Sequence, residues 1–192
     1  MRQIALLLAA AFACVQTAAA TLAADVSRLE WGGFVVESDS SNGLQDWTAT
    51  SSDDGRSVSL TFAALEAKAD GQVLEGKANL SGYFDISQPA TEVFGKFHVE
   101  VAGYVVKSQT AIARLTLKIG SEEKVIEWPG NAAMSEKFTR SFDVILPGGG
   151  KLPDPFPVSA EAFAQKSAAT DSAFVSLNSL SITADNPLVA ER

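Results

Sequence analysis

Apolar residues recur at every second position over most of this chain, and that period excludes most architectures at once. Val58, Leu60, Phe62 and Ala64 alternate with Ser57, Ser59, Thr61 and Ala63. Ala78, Leu80, Gly82, Phe84 and Ile86 alternate with Lys77, Asn79, Ser81, Tyr83 and Asp85. Phe97, Val99 and Val101 interleave with Lys96, His98 and Glu100, as Ala113, Leu115, Leu117 and Ile119 do with Ile112, Arg114, Thr116 and Lys118. Phe138, Phe142, Val144 and Leu146 share one side of a further strand with Arg140. Successive side chains of a strand point to opposite faces, so each segment reads as a strand with one buried and one wet face. Roughly seven to nine such strands cannot hide their apolar faces in one flat sheet, whereas two stacked sheets can. The expected fold is therefore all-β: a single antiparallel β-sandwich, jelly-roll-like, with little helix. Ala63 to Ala69 and Ser159 to Lys166 could each form a turn or two of helix, neither long enough to be stable alone.

Short connections predict antiparallel neighbours. Lys107 to Thr110 joins two strands, and Gly120-Ser121-Glu122 turns the chain into Glu123 to Trp128, so the middle of the chain reads as a meander. The last strand, Ala173 to Ala184, changes phase near Asn178-Ser179, because Val175 and Leu177 precede Leu180 and Ile182. Such a break marks a β-bulge. Ser38 to Asn42 and Thr48 to Arg56 read as polar turns at the sandwich ends. Residues 147–157, PGGGKLPDPFP, read as a loop, since proline denies a sheet its ladder donors.

The N-terminus predicts export. A basic start at Arg2, an apolar run from Ile4 to Val15 and small residues beyond it form a secretory leader, residues 1–24, cut after Ala20 or Ala24. The sandwich then occupies residues 25–192. The apolar run is shorter than the ~20 residues that span a bilayer, so no transmembrane segment is expected in the mature chain. The only cysteine, Cys14, lies in the leader, leaving a mature chain without disulfides. Loss of Arg2 leaves 14 basic residues against 23 acidic ones, a balance of −9. No basic stripe interrupts it, which argues against nucleic acid as a partner.

Residue types narrow the chemistry further. The mature chain has one histidine, His98, placed mid-strand on a polar face, which leaves no ready Ser-His-Asp triad. Adjacent acids at Asp53-Asp54 and Glu122-Glu123 lie in turns, while glycoside hydrolysis needs two carboxyls facing each other across a cleft. Asp39, Asn42, Asp46, Asp53 and Asp54 cluster in two neighbouring loops and are the candidate ligands for calcium, a cation that prefers oxygen donors. Trp47, Trp128 and Trp31 are the candidate ligand-binding residues: aromatic faces stack on sugar rings, and Trp47 and Trp128 stand at strand ends beside polar loops. The competing reading is that all three plug the ends of the apolar core.

Asp53-Asp54-Gly55 followed by SVSLTFAALEA, then ANLSGYFDISQP, then FHVEVAGYVV resembles an uncharacterised secreted family, the domain of unknown function numbered 4360. The likeness runs from about Gly43 to Gly120 and implies export and a β fold, with no activity attached. Cysteines typical of that family are replaced here by the segments Gln45-Asp46-Trp47 and Lys77-Ala78-Asn79. A second resemblance is to jelly-roll carbohydrate-binding modules, carried by Asn42-Gly43-Leu44-Gln45-Asp46-Trp47 near the start and AFVSLNSLSITAD at the end. Asn178 stands where those modules place an acid in the closing strand.

Together these features predict an exported, secreted or periplasmic, non-enzymatic β-sandwich of the cell envelope or extracellular space that acts by surface interaction with a glycan or an envelope protein. A carbohydrate-binding module, calcium-assisted or without any cofactor, is the alternative. A carboxylate-based hydrolase is the third reading.

Overall fold

β-branched and aromatic residues suit a pleated, half-buried surface, and the alternating segments form strands accordingly. A computed structural model describes residues 28–39, 47–89, 92–145, 151–185 and 188–189. The expected leader with Cys14, the candidate ligands Asn42 and Asp46, Leu146 and the start of the proline- and glycine-rich loop lie outside the described residues, as does the side chain of Asp39.

The strands are β1 (Glu30–Asp39), β2 (Trp47–Ser51), β3 (Ser57–Ala69), β4 (Glu75–Ser87), β5 (Glu92–Val93), β6 (Lys96–Lys107), β7 (Ile112–Ile119), β8 (Glu122–Trp128), β9 (Met134–Ile145), β10 (Phe156–Gln165), β11 (Ala173–Ala184) and β12 (Leu188–Val189). They build two five-stranded sheets, ordered β1-β4-β10-β7-β8 and β2-β3-β11-β6-β9, with a small β12-β5 pair beside them. Every pairing is antiparallel. The fold is the expected all-β sandwich, and among the described residues there is no helix.

Between the sheets lies one apolar layer. Leu80, Phe84, Leu115, Leu117 and Phe156 enter it from the first sheet, and Leu60, Phe97, Val99, Val101, Leu177, Leu180 and Ile182 from the second, all essentially inaccessible to solvent. An aromatic cluster locks the layers together. The Trp31 ring stands edge-on to Phe84 at 5.5 Å and to Phe156 at 5.5 Å, and it meets Phe97 of the opposite sheet at 5.9 Å. Edge-to-face pairs of this kind add to plain area burial.

The β11 bulge is present. Leu177 pairs with Gly103 and Ser179 with Ala102, so Asn178 is extra against β6. Against β3 the same shift leaves Phe62, Ala63 and Ala64 between Leu65 and Thr61. The extra residue restores the inward phase, with Val175 and Leu177 buried before it and Leu180 and Ile182 after it. At this point the strands approach so closely that a Cβ on Gly103 would strike the Ser176 carbonyl and lie 2.6 Å from Phe138 Cζ. Only glycine fits.

Four expectations need correction. The meander is absent. Although β7 and β8 form a hairpin, β6 and β7 lie in different sheets, so the Lys107–Thr110 connection crosses the sandwich. A short loop at the rim can step from one layer to the other as readily as it can reverse within one. Ala63–Ala69 and Ser159–Lys166 are not helical but lie in β3 and β10. There Ala67, Ala69, Ala160, Ala162 and Ala164 face the core as small residues, and tertiary packing overrides helix propensity. Thr48 to Ser51 belong to β2 rather than to a turn, their backbone pairing with β3. Finally, the loop of residues 147–157 ends early, because Phe156 and Pro157 already open β10. Pro157 is tolerated at the strand start, where its carbonyl accepts from the Gly120 amide at 2.8 Å.

One end of the sandwich is tied by two buried lysines. Lys166 Nζ donates to the Gly71 carbonyl at 2.5 Å and the Ala169 carbonyl at 3.3 Å, while its backbone amide reaches Leu74 at 3.0 Å. Lys107 Nζ donates to the Ala132 carbonyl at 2.5 Å. Burial holds the Lys107 ammonium below the usual lysine range.

Candidate functional site

The tryptophans belong to the core. Trp31 is 8% exposed and Trp128 4%, the latter packed on Phe138 at 4.8 Å between ring centres. Both rings pack into the core, as the competing reading expects, although Trp31 also borders a small cleft. Trp47 is half-buried and meets Phe34 edge-on at 5.2 Å, so it too plugs the open side between β1 and β2. The indole Nε1 atoms of Trp31 and Trp47 are buried with no hydrogen-bond partner among the described residues.

The candidate calcium loops are represented by Asp53 and Asp54 alone. Asp54 Oδ1 accepts from Ser52 Oγ at 2.5 Å and from the Arg56 amide at 3.0 Å, closing a turn in which Gly55 adopts φ of 70°. The Ser52 hydroxyl first, then the Arg56 amide, holds the Asp54 carboxyl below its usual range. Asp53 is exposed, and its carbonyl accepts from Arg28 at 2.6 Å. Among the described residues no three His, Cys, Asp or Glu side chains gather as a metal site.

Two clefts bear on the hydrolase reading. One, of about 420 Å³, is lined by Arg28, Leu29, Asp54, Arg56 and Phe94, with a single carboxylate among the described residues. The other, of about 240 Å³, lies between Trp31, Gly32, Gly33 and residues 49–51 and has no carboxylate among the described residues. Among the described residues, neither presents the facing pair of acids that glycoside hydrolysis uses.

The outer face of the second sheet has a more ordered chemistry. Across β2, β3 and β11, Thr48 pairs with Thr61 and Thr61 with Ser179; Thr50 pairs with Ser59 and Ser59 with Ser181; Ser57 pairs with Thr183. Outward positions on these strands are thus a lattice of hydroxyls, spaced ~4.8 Å across strands and nearly 7 Å along them. Neighbouring hydroxyls bond to one another, Ser57 to Thr183 at 3.0 Å and Ser59 to Ser181 at 2.7 Å. A hydroxyl can donate once and accept twice, so each keeps capacity for a further partner.

Beyond the bulge the same face carries two half-buried aromatic rings. Tyr104 of β6 and Phe174 of β11 lie 6.5 Å apart at 56°, and the Tyr104 hydroxyl bonds Ser135 Oγ at 2.8 Å. Tryptophans drew attention in the sequence because of their size. The signal for these two rings was the alternation itself: Phe97, Val99 and Val101 point inward, which sends Tyr104 outward, and inward Val175 does the same for Phe174.

At the opposite end of this face stands a charged cluster. Asp143 meets His98 Nδ1 at 3.0 Å and Lys96 Nζ at 3.1 Å, and Lys96 also reaches Asp185 at 3.0 Å. His98 is therefore a solvated strand residue, its side chain 48% exposed. The His98 hydrogen bond first, and then Lys96, depresses the Asp143 carboxyl. A depressed carboxyl contributes stability that is present above its unfolded value, near 3.9, and is lost as pH falls through the folded value. For an exposed group the effect on stability is small. The titration itself is measurable: His98→Ala is expected to raise the Asp143 midpoint in a carbon-detected NMR titration, and an unmoved midpoint would contradict the assignment.

No family model matches the chain, so the resemblance to the uncharacterised secreted family gains no support there, and no curated protein matches it either. Among solved structures the likenesses are weak. TmCBM61, solved in complex with beta-1,4-galactotriose, is 11% identical over 81% of this chain and 91% of its own, with a TM-score of 0.34. The CBM36-1 domain of a multidomain xylanase from the hindgut metagenome of Trinervitermes trinervoides is 14% identical over 82% and 97%, with a TM-score of 0.28. The C-terminal CBM6 of the laminarinase LamC from Zobellia galactanivorans is 12% identical over 72% and 89%, with a TM-score of 0.29. These are carbohydrate-binding modules. At such scores they assign no residue role and no ligand to this chain.

Proposed function

We propose that this protein is an exported, non-catalytic binding module that holds a neutral glycan across the outer face of its second sheet. The observation that carries the reading is the Tyr104–Phe174 pair standing on the same face as the Ser/Thr lattice. Sugar rings present apolar C–H faces and a rim of hydroxyls. Aromatic rings complement the first, and residual donor and acceptor capacity on Thr48, Thr50, Thr61, Ser179 and Ser181 complements the second. A polyhydroxylated chain lying along the strands would meet both in sequence.

The test is affinity electrophoresis through gels cast with soluble galactan, xylan or laminarin. The wild type is expected to be retarded by at least one of them, and Tyr104→Ala with Phe174→Ala to abolish that retardation while leaving the far-ultraviolet dichroism unchanged. Trp47→Ala serves as the control and should keep it. A double variant retarded like its parent would sink the reading, as would a wild type that none of the gels retards.

A further inference from the structure

On the opposite side of the molecule, the outer face of the first sheet carries a cation arrangement that the glycan reading does not use. Lys77, Phe163, Arg114 and Glu127 form one row across β4, β10, β7 and β8. Phe163 points outward in a strand whose neighbours Ala162 and Ala164 are fully buried, yet it is only 8% exposed. Its cover is cationic. The Arg114 guanidinium lies 4.7 Å from the ring centre and the Lys77 ammonium 5.4 Å from it.

The two cations differ in what else they do. Lys77 is paired with Glu75 at 3.0 Å. Arg114 forms no hydrogen bond or ion pair among the described residues, and its Nε is buried without a partner. Glu127 is its direct partner across the β7–β8 ladder, and Glu161 lies on the adjacent row beside Thr116, yet neither carboxylate engages it. In a chain with 23 acidic and 15 basic residues, an arginine left without a carboxylate is unexpected. The ring contact explains how it is held, because a planar, weakly hydrated guanidinium is attracted to the face of an aromatic ring. With Nε buried, the two Nη groups, neither of them hydrogen-bonded among the described residues, are the fork left for two oxygens of one oxyanion.

We propose that Arg114, fixed on Phe163 and seconded by Lys77, is a binding site for an oxyanion group, either a free inorganic anion or a carboxylate displayed on an acidic glycan. The site is independent of the Tyr104–Phe174 face. Lys77 stands two strand spacings from Arg114, about 10 Å, and adds long-range attraction rather than a second fork.

The test is NMR titration of the folded protein, following the arginine side-chain Nε–H resonance assigned to Arg114, with two probes: sodium sulfate and trigalacturonate. One or both are expected to shift that resonance saturably. Sulfate acting alone identifies a free-anion site, and trigalacturonate binding more tightly than sulfate identifies the glycan carboxylate. Arg114→Lys keeps the charge and the cover over Phe163 but loses the fork, so binding should weaken by about tenfold or more, with the fold intact. The Tyr104→Ala, Phe174→Ala double variant should bind the anion as its parent does, which separates this site from the proposed glycan face. If neither probe moves the Arg114 resonance, or if Arg114→Lys binds equally well, the arginine is only a lid over Phe163 and the proposal is overturned.

Discussion

Phe97→Ala is expected to destabilise the protein by about 3–5 kcal/mol, the range for truncating a buried phenylalanine. Phe97 is fully buried and belongs to the second sheet, while its ring partners Trp31, at 5.9 Å, and Phe156, at 5.4 Å, belong to the first. Its removal leaves a cavity at the seam between the layers, where neither sheet can close in without shifting against the other. For a chain of this size about 4 kcal/mol corresponds to a fall in melting temperature of roughly 8–16 °C. Differential scanning calorimetry would show it. A loss below about 1 kcal/mol would mean that Phe97 does not stand in the core as described.

Lys166→Met is the second large effect. Methionine keeps most of the apolar stem, so the substitution isolates the ammonium. Without it the Gly71 and Ala169 carbonyls lose a charged donor, and the β3–β4 turn is no longer tied to the segment that leads into β11. The expected cost is about 2–3 kcal/mol, the scale of hydrogen bonds made by a charged group. It should come with faster amide exchange at Val73 and Asp171, whose own turn bonds, to Asp70 at 2.8 Å and Ala168 at 3.1 Å, lie beside the lost anchor. Urea melts and exchange rates measure both. A methionine variant as stable as its parent would show that burying the ammonium cancels what its hydrogen bonds contribute.

Much of this architecture is legible in the sequence because a strand's side-chain period is two and cannot be confused with a helix over long runs. The same pattern reveals the β11 bulge, since Leu177 and Leu180 cannot both face inward without an extra residue between them. What the pattern does not encode is partnership. β6 and β7 are four residues apart in the chain and in different sheets, because pairing is settled by non-local packing. The alanines of β10 illustrate a second blind spot. Ala160, Ala162 and Ala164 carry helix propensity, yet they serve as the small layer facing larger side chains of the other sheet.

The candidate site was readable only indirectly. Trp31 and Trp128 are conspicuous in the sequence as large rings, but a ring of that size lowers the free energy most when it closes the core. Tyr104 and Phe174 were inconspicuous, and it is their outward phase that makes them available. The Ser/Thr lattice likewise looked like ordinary solvent-facing residues in three separate strands. It becomes one surface only when β2, β3 and β11 are placed side by side.

The most direct test of the glycan face is a chemical-shift map of the nitrogen-15-labelled protein, titrated with an oligosaccharide of whichever polysaccharide retards it. The largest shifts are expected on Tyr104, Phe174, Ser179, Ser181 and Thr61, with the Tyr104 and Phe174 rings showing contacts to sugar protons. Shifts confined to the cleft around Arg28 and Phe94, or to the outer face of the first sheet, would contradict the glycan reading.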